Sequence, residues 1–198
     1  GSSFELPFVF TADGSKSLYF TLDQLQSRMC CDRPTHLDVD YTRTMMGFLM
    51  FNRSPANIAM IGLGGGSLLK FCYRHLPGTH FTAVEINPHV LALRTEFEVP
   101  DDKERIAFIC ADGSDFIQEK VSRGLTRYDV LMVDGFDCQG QAPSLCSQHF
   151  YDDCFQVLSP QGILVANLHH DHAEHAIFRD RIRNAFNGNL MEIASAEK

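Results

Sequence analysis

No apolar run in the 198 residues approaches the ~20 consecutive positions that a membrane-crossing helix needs, and the amino terminus carries no leader-like pattern. No membrane association is expected, and the cytoplasm is the expected compartment. Basic clusters are missing as well. With 17 Lys and Arg against 25 Asp and Glu, the formal charge is −8, and nothing in the chain offers the concentrated cations that a phosphate backbone requires. No nucleic-acid partner is expected; acidic clefts would attract a cationic ligand instead. The 7 cysteines are an odd number, with no C-x-x-C pair and several inside apolar runs. They read as reduced, buried thiols, not as a disulfide framework. Internal repeats and low-complexity tracts are also absent.

What the chain does contain is enough apolar material, 44 % of residues, for one proper core with at most a small appendage. Residues 4–25 alternate β-forming and polar positions around Asp13-Gly14, which predicts a hairpin and sets off a segment 4–34 from a main domain 35–198. A helix over 41–51 is expected next, with Asp40 as its N-cap and Met45, Phe48, Leu49 and Phe51 on its apolar face. From residue 58 onward the pattern alternates between strand and helix. Strands are read at 58–61, 81–84, 106–110, 128–133 and 163–167, with a short one at 190–194. Helices are read at 68–75, from Asn87-Pro88 with Val90, Leu93 and Phe97 buried, and at 115–121, 148–158 and 173–186. This is the signature of a doubly wound, Rossmann-like α/β domain with a mostly parallel sheet.

Ligands of such sheets sit beyond the carboxyl ends of the strands, where the strand order reverses. The first main strand runs into Gly62-Leu63-Gly64-Gly65-Gly66 and then directly into a helix, so the backbone can turn tightly and approach a ligand. The second strand ends on Glu85, about where nucleoside-binding folds place the acceptor for ribose hydroxyls. The third ends on Asp112-Gly113 and the fourth on Asp134, with Asp137 three residues further. A pyrophosphate loop of the form G-x-G-x-x-G would need glycine at 67, where Ser67 stands. The observed G-x-G-x-G followed by a strand-end acid resembles the S-adenosylmethionine-type transferases. Two carboxylates facing one cleft can hold a cationic amine, and one of them can take its proton so that the free amine attacks an electrophilic carbon.

The order of Gln26, Tyr41, the 62–66 loop, Val84-Glu85, Asp112-Gly113, Val133-Asp134-x-x-Asp137, Phe150-Tyr151 and Leu158-x-Pro160-x-Gly162 resembles the spermidine synthases, or polyamine aminopropyltransferases, over residues 18–168. The resemblance implies transfer of an aminopropyl group from decarboxylated S-adenosylmethionine to a small cationic amine such as putrescine, without a metal, in a homodimer. It implies co-substrate binding by Gly62, Gly64, Gly66, Glu85, Asp112, Gly113 and Gln26. It assigns the chemistry and the amine side to Tyr41, Asp134 and Asp137, with Gln26 also lining the amine side.

The chain departs from that family's pattern at three positions. Ser67 stands where the resemblance places an aspartate that pairs with the co-substrate's ammonium, Arg43 where an acid is usual, and Cys138 where a proline is frequent. Loss of the carboxylate removes an ion pair for decarboxylated S-adenosylmethionine and a repulsion against the intact molecule. Two other readings therefore stay open: a methyltransferase using S-adenosylmethionine on a small amine, and a catalytically silent nucleoside-binding module. The cluster His169-His170-Asp171-His172-Ala173-Glu174-His175 invites a metal, but is expected to be a solvated loop and helix start.

Overall fold

The computed structural model describes residues 4–22, 24–124, 127–137 and 140–195. Three antiparallel strands come first: β1 (Phe8–Ala12), β2 (Ser15–Thr21) and β3 (Gln24–Cys30), in the spatial order β1-β2-β3. The Asp13-Gly14 turn joins the first two, both residues having positive φ, as expected for an Asp-Gly hairpin. The third strand goes beyond the predicted hairpin. Its alternating run Ser27, Met29 buried against half-exposed neighbours carries a strand period that polar residues conceal.

Helix α1 (Asp40–Met45) begins one residue earlier than expected and continues as a 3-10 turn over Met46–Met50. Asp40 is not the N-cap. That position is Val39, and the Asp40 carboxylate instead accepts a bond from the Arg43 guanidinium at 2.8 Å. The tighter 3-10 winding, about 3.0 residues per turn, rotates the later side chains off the helical face. Met45 and Phe48 are buried and Leu49 is half-buried as expected, but Met46 joins them while Phe51 is 65 % exposed.

The central sheet is built from β4 (Asn57–Ile61), β5 (His80–Glu85), β6 (Ile106–Cys110), β7 (Tyr128–Val133) and β10 (Leu158–Ala166), all parallel, in the order β10-β7-β4-β5-β6. A short ribbon, β8 (Phe136–Asp137) with β9 (Gly140–Gln141), follows β7. Between the strands lie α2 (Ser67–His75), α3 (Pro88–Ala92), α4 (Gly113–Arg123), α5 (Gln148–Val157) and, last, α6 (His175–Ala185). In β4, Ile58 and Met60 join one core with Leu69, Cys72, Val90 and Phe97, and Ala59 and Ile61 join another with Phe116, Ile117 and Tyr151. Both faces of β4 and β7 are thus dry. Each fully buried aliphatic or aromatic side chain there contributes roughly 1.5–3 kcal/mol. The apolar runs of these two strands follow from that two-sided burial.

The strand expected at 190–194 does not form. Its run of β-formers finds no ladder partner, and without one the isolated segment has no reason to extend. Met191 and Ile193 remain exposed.

Candidate active site

The sheet order reverses between β4 and β7, because the chain leaves β4 toward β5 and β6 and returns to its other side at β7. There the backbones nearly touch. The Asp134 amide donates to the Ile61 carbonyl at 2.8 Å, and a Cβ placed on Gly62, whose φ is +91°, would collide with the Asp134 carbonyl oxygen. Gly66 (φ +71°) is the N-cap of α2, and a Cβ on it would run into Val99. Ser67, the first residue of α2, is half-buried, its hydroxyl 3.3 Å from that of Ser27 on β3.

Glu85 closes β5 beneath this loop and is buried. Its Oε2 accepts from the Leu63 amide and its Oε1 from the Asn87 amide, both at 2.9 Å. Burial pushes its pKa up, and backbone donors at Leu63, Asn87, Gly64 and Ile86 oppose that rise. Asp112 ends the β6 turn as the N-cap of α4: its Oδ1 accepts from the amides of Ser114 at 2.7 Å and Asp115 at 3.3 Å. Its Oδ2 accepts from the Ser144 hydroxyl at 3.4 Å. Gly113 begins α4 where a Cβ would strike Ile61.

Asp134 is held from both sides. Tyr41 of α1 donates its phenol proton to Oδ2 at 3.0 Å, and the Asn167 amide, just past β10, donates to Oδ1 at 2.9 Å. Burial raises the Asp134 pKa, while the Asn167 and Tyr41 bonds and the nearby His169 lower it. Burial, followed by the Asp134 charge and hydrogen bond, lifts the Tyr41 phenol far above its ordinary value, so Tyr41 stays a neutral donor.

These groups surround one cavity of about 650 Å³ at the carboxyl ends of the strands, which Gln26, Tyr41, Gly62, Gly64, Glu85, Asp112, Gly113 and Asp134 help to line. Gly66 lies behind its wall, and the side chain of Asp137 lies outside the described residues. Among the described lining residues are four carboxylates, Glu5, Glu85, Asp112 and Asp134, and no Lys, Arg or His. Arg43 turns away: its guanidinium donates to the carbonyls of Leu37 and Asp38 and to Asp40. Asn167 was missed by sequence reasoning, although its place as the first polar residue after a strand matches that of Glu85 and Asp134. Among the described residues no group of three or more His, Cys, Asp or Glu is disposed to hold a metal. In the 169–175 stretch the His170 and His175 rings contact each other, and His172 lies against Phe178.

Residues 39–193 match the spermine/spermidine synthase domain. The chain belongs to the spermine/spermidine synthase family. It is 38 % identical over 182 residues to a polyamine aminopropyltransferase of Chromobacterium violaceum, covering 91 % of this chain and 68 % of that protein. Human methyltransferase-like protein 13, solved with SAH, superposes with a TM-score of 0.64 at 25 % identity over 74 % of this chain and 72 % of that one. A spermidine synthase solved with the transition-state analogue AdoDATO gives a TM-score of 0.64 at 20 % identity, over 90 % of this chain and 64 % of that one, which establishes likeness of fold. The family member thus has the α/β fold of S-adenosylmethionine-dependent methyltransferases, with an antiparallel sheet at its amino-terminal side.

Proposed function

We propose that this protein transfers the aminopropyl group of decarboxylated S-adenosylmethionine to a small amine such as putrescine. The observation that carries this reading is the charge of the cavity wall. A sulfonium bearing a primary ammonium, together with a diamine, brings several positive charges into a space where the described walls supply carboxylates and no Lys, Arg or His. Intact S-adenosylmethionine would add a carboxylate with no cationic side chain among the described lining residues to receive it.

In this reading the 62–66 loop and Glu85 hold the ribose and thioether region, Asp112 and Gly113 the adenine side, and Gln26, Tyr41, Asp134 and Asp137 the amine. Segment 4–34 walls one side of the cavity of the nucleoside-binding domain 35–198, with Gln26 toward the amine and Phe4 and Glu5 toward the nucleoside. Ser67 contributes a hydroxyl instead of a charge, so the ammonium answers to the summed field of the wall and not to one ion pair. Asp134 takes a proton from the bound ammonium. The freed nitrogen lone pair attacks the methylene next to sulfur; the C–N bond forms as the C–S bond breaks, and its electron pair neutralises the sulfonium to a thioether. The proton then leaves Asp134 for solvent and the enzyme is unchanged. Tyr41 and Asn167 hold the two carboxylate oxygens so that the remaining lone pairs face the amine. We further assign the protein to the cytoplasm and to a homodimeric assembly.

A second reading, methylation of a small amine, draws support from the likeness to methyltransferase-like protein 13. Calorimetry with methylthioadenosine, S-adenosylmethionine and its decarboxylated form separates the two, with mass spectrometry of the amine product. The proposal expects binding of the decarboxylated form and an aminopropylated amine. A methylated amine, or binding of S-adenosylmethionine alone, overturns it, and binding of none of the three removes both enzyme readings.

A further inference from the structure

Asn87 is buried and joins three parts of the site through its backbone and its side chain. Its backbone amide donates to Glu85 Oε1 at 2.9 Å, its side-chain Oδ1 caps α3 by accepting from the His89 amide at 2.9 Å, and its Nδ2 donates to the Glu5 carbonyl at 2.8 Å. The orientation of the amide is unambiguous, because the His89 N–H can only donate and the Glu5 carbonyl can only accept. Asn87 and Glu5 are 82 positions apart, and residues 4–7 form a strap with no regular secondary structure before β1 begins. Phe4 and Glu5 of that strap line the cavity beside Glu85, Ile86 and Asn87.

We infer that Asn87 is a positioning residue for the co-substrate: its side chain ties the strap to the turn whose backbone amide holds Glu85, so that the nucleoside end of the cavity is closed by one carboxamide. The inference rests on the nucleoside-binding reading above. The cap at His89 needs only an acceptor; the Nδ2 donor is required by nothing in the α/β domain itself. Its partner lies in the amino-terminal strap, which makes the donor a latch between two segments of the chain.

Asn87→Ser keeps a cap acceptor and the backbone amide that holds Glu85, but has no donor long enough for Glu5. Phe4→Ala loosens the strap without touching the cap. Each substitution is expected to weaken methylthioadenosine binding by roughly tenfold, as for loss of one buried hydrogen bond or its consequence. The amine KM and the kcat at saturating co-substrate should be unchanged. The double variant should be no worse than the weaker single, since both release the same closure. Unchanged affinity in Phe4→Ala, or additive losses in the double variant, overturns the coupling. Because the chain contains no Trp, Phe4→Trp adds a sole tryptophan that, excited beyond the absorption of Tyr, reads the strap without any ligand. Acrylamide should quench it more strongly in the Asn87→Ser background, and equal quenching overturns the latch. If the native protein binds no nucleoside, the functional reading fails, while the quenching comparison still decides the latch.

Discussion

Tyr41 and Asp134, 93 positions apart, meet in a 3.0 Å hydrogen bond that the phenol donates to Oδ2, while Asn167 occupies Oδ1 at 2.9 Å. Each oxygen keeps lone-pair capacity for one more donor, and each is fixed in direction by a neutral group. A carboxylate so placed is oriented without being neutralised by an ion pair, which is the condition for accepting a proton from an ammonium.

Asp134→Asn tests that role. With the base removed, kcat should fall by about 10²–10⁴-fold, the usual contribution of general base catalysis. Stability should move the other way. A carboxyl whose folded pKa is raised holds its proton better folded than unfolded, so the fold loses stability as pH rises from the unfolded pKa through the raised folded one. The amide escapes that loss; its oxygen accepts from Asn167, and its NH2 donates to the Tyr41 hydroxyl, which can accept once its proton rotates away, so its Tm at pH 7 should equal or exceed that of the native protein. A Tm well below native, or product formation at the native rate, contradicts the assignment.

Activity should fall with acid below a limb lying above the ordinary carboxylate range, because only ionised Asp134 accepts the proton. The Tyr41 bond lowers that pKa, so Tyr41→Phe should move the limb of the kcat profile to higher pH. A limb that stays in place would mean that the phenol does not tune the base.

Gly62→Ala puts a side chain at φ +91° against the Asp134 carbonyl. Strain of this kind costs about 1–3 kcal/mol before any clash, and relief requires β4 and β7 to part at the centre of the site. Denaturant unfolding should show the loss, and co-substrate binding should weaken with it; native stability would refute the contact.

Arg43→Ala should leave kcat and KM for the amine close to native values. Its guanidinium is engaged by Leu37, Asp38 and Asp40, away from the cavity. The exposed pair with Asp40 accounts for at most about 1 kcal/mol of stability. A large fall in the amine KM would show that the positive charge does reach the cavity.

The sheet was readable in the sequence because its strands announce themselves: β4 and β7 are apolar on both faces, and each ends on a glycine or an acid. Other parts depend on partners that no local pattern names. The buried face of residues 45–51 shifted when α1 tightened into a 3-10 turn, and 190–194 carried strand formers with no edge to join. β3 hid beneath polar residues whose burial comes from packing against β2 and α2. Asn87 looked like an ordinary helix cap, since the cap explains the residue fully until the strap is seen beside it. Arg43 likewise reads as an intruder in the amine site until its hydrogen bonds place it outside.

The junction of Gly62 with Asp134 also constrains how this site can change over time. Where two strands meet through main chain alone, and short of a side chain added at Gly62, no exchange of side chains at the junction alters their separation. In the proposed reaction, the distance between the ligand of the loop after β4 and the amine before Asp134 would therefore be set by the sheet. Residues around the rim, Ser67 or Asn87 among them, can be replaced to favour a different acceptor or donor while the reaction centre keeps its dimensions.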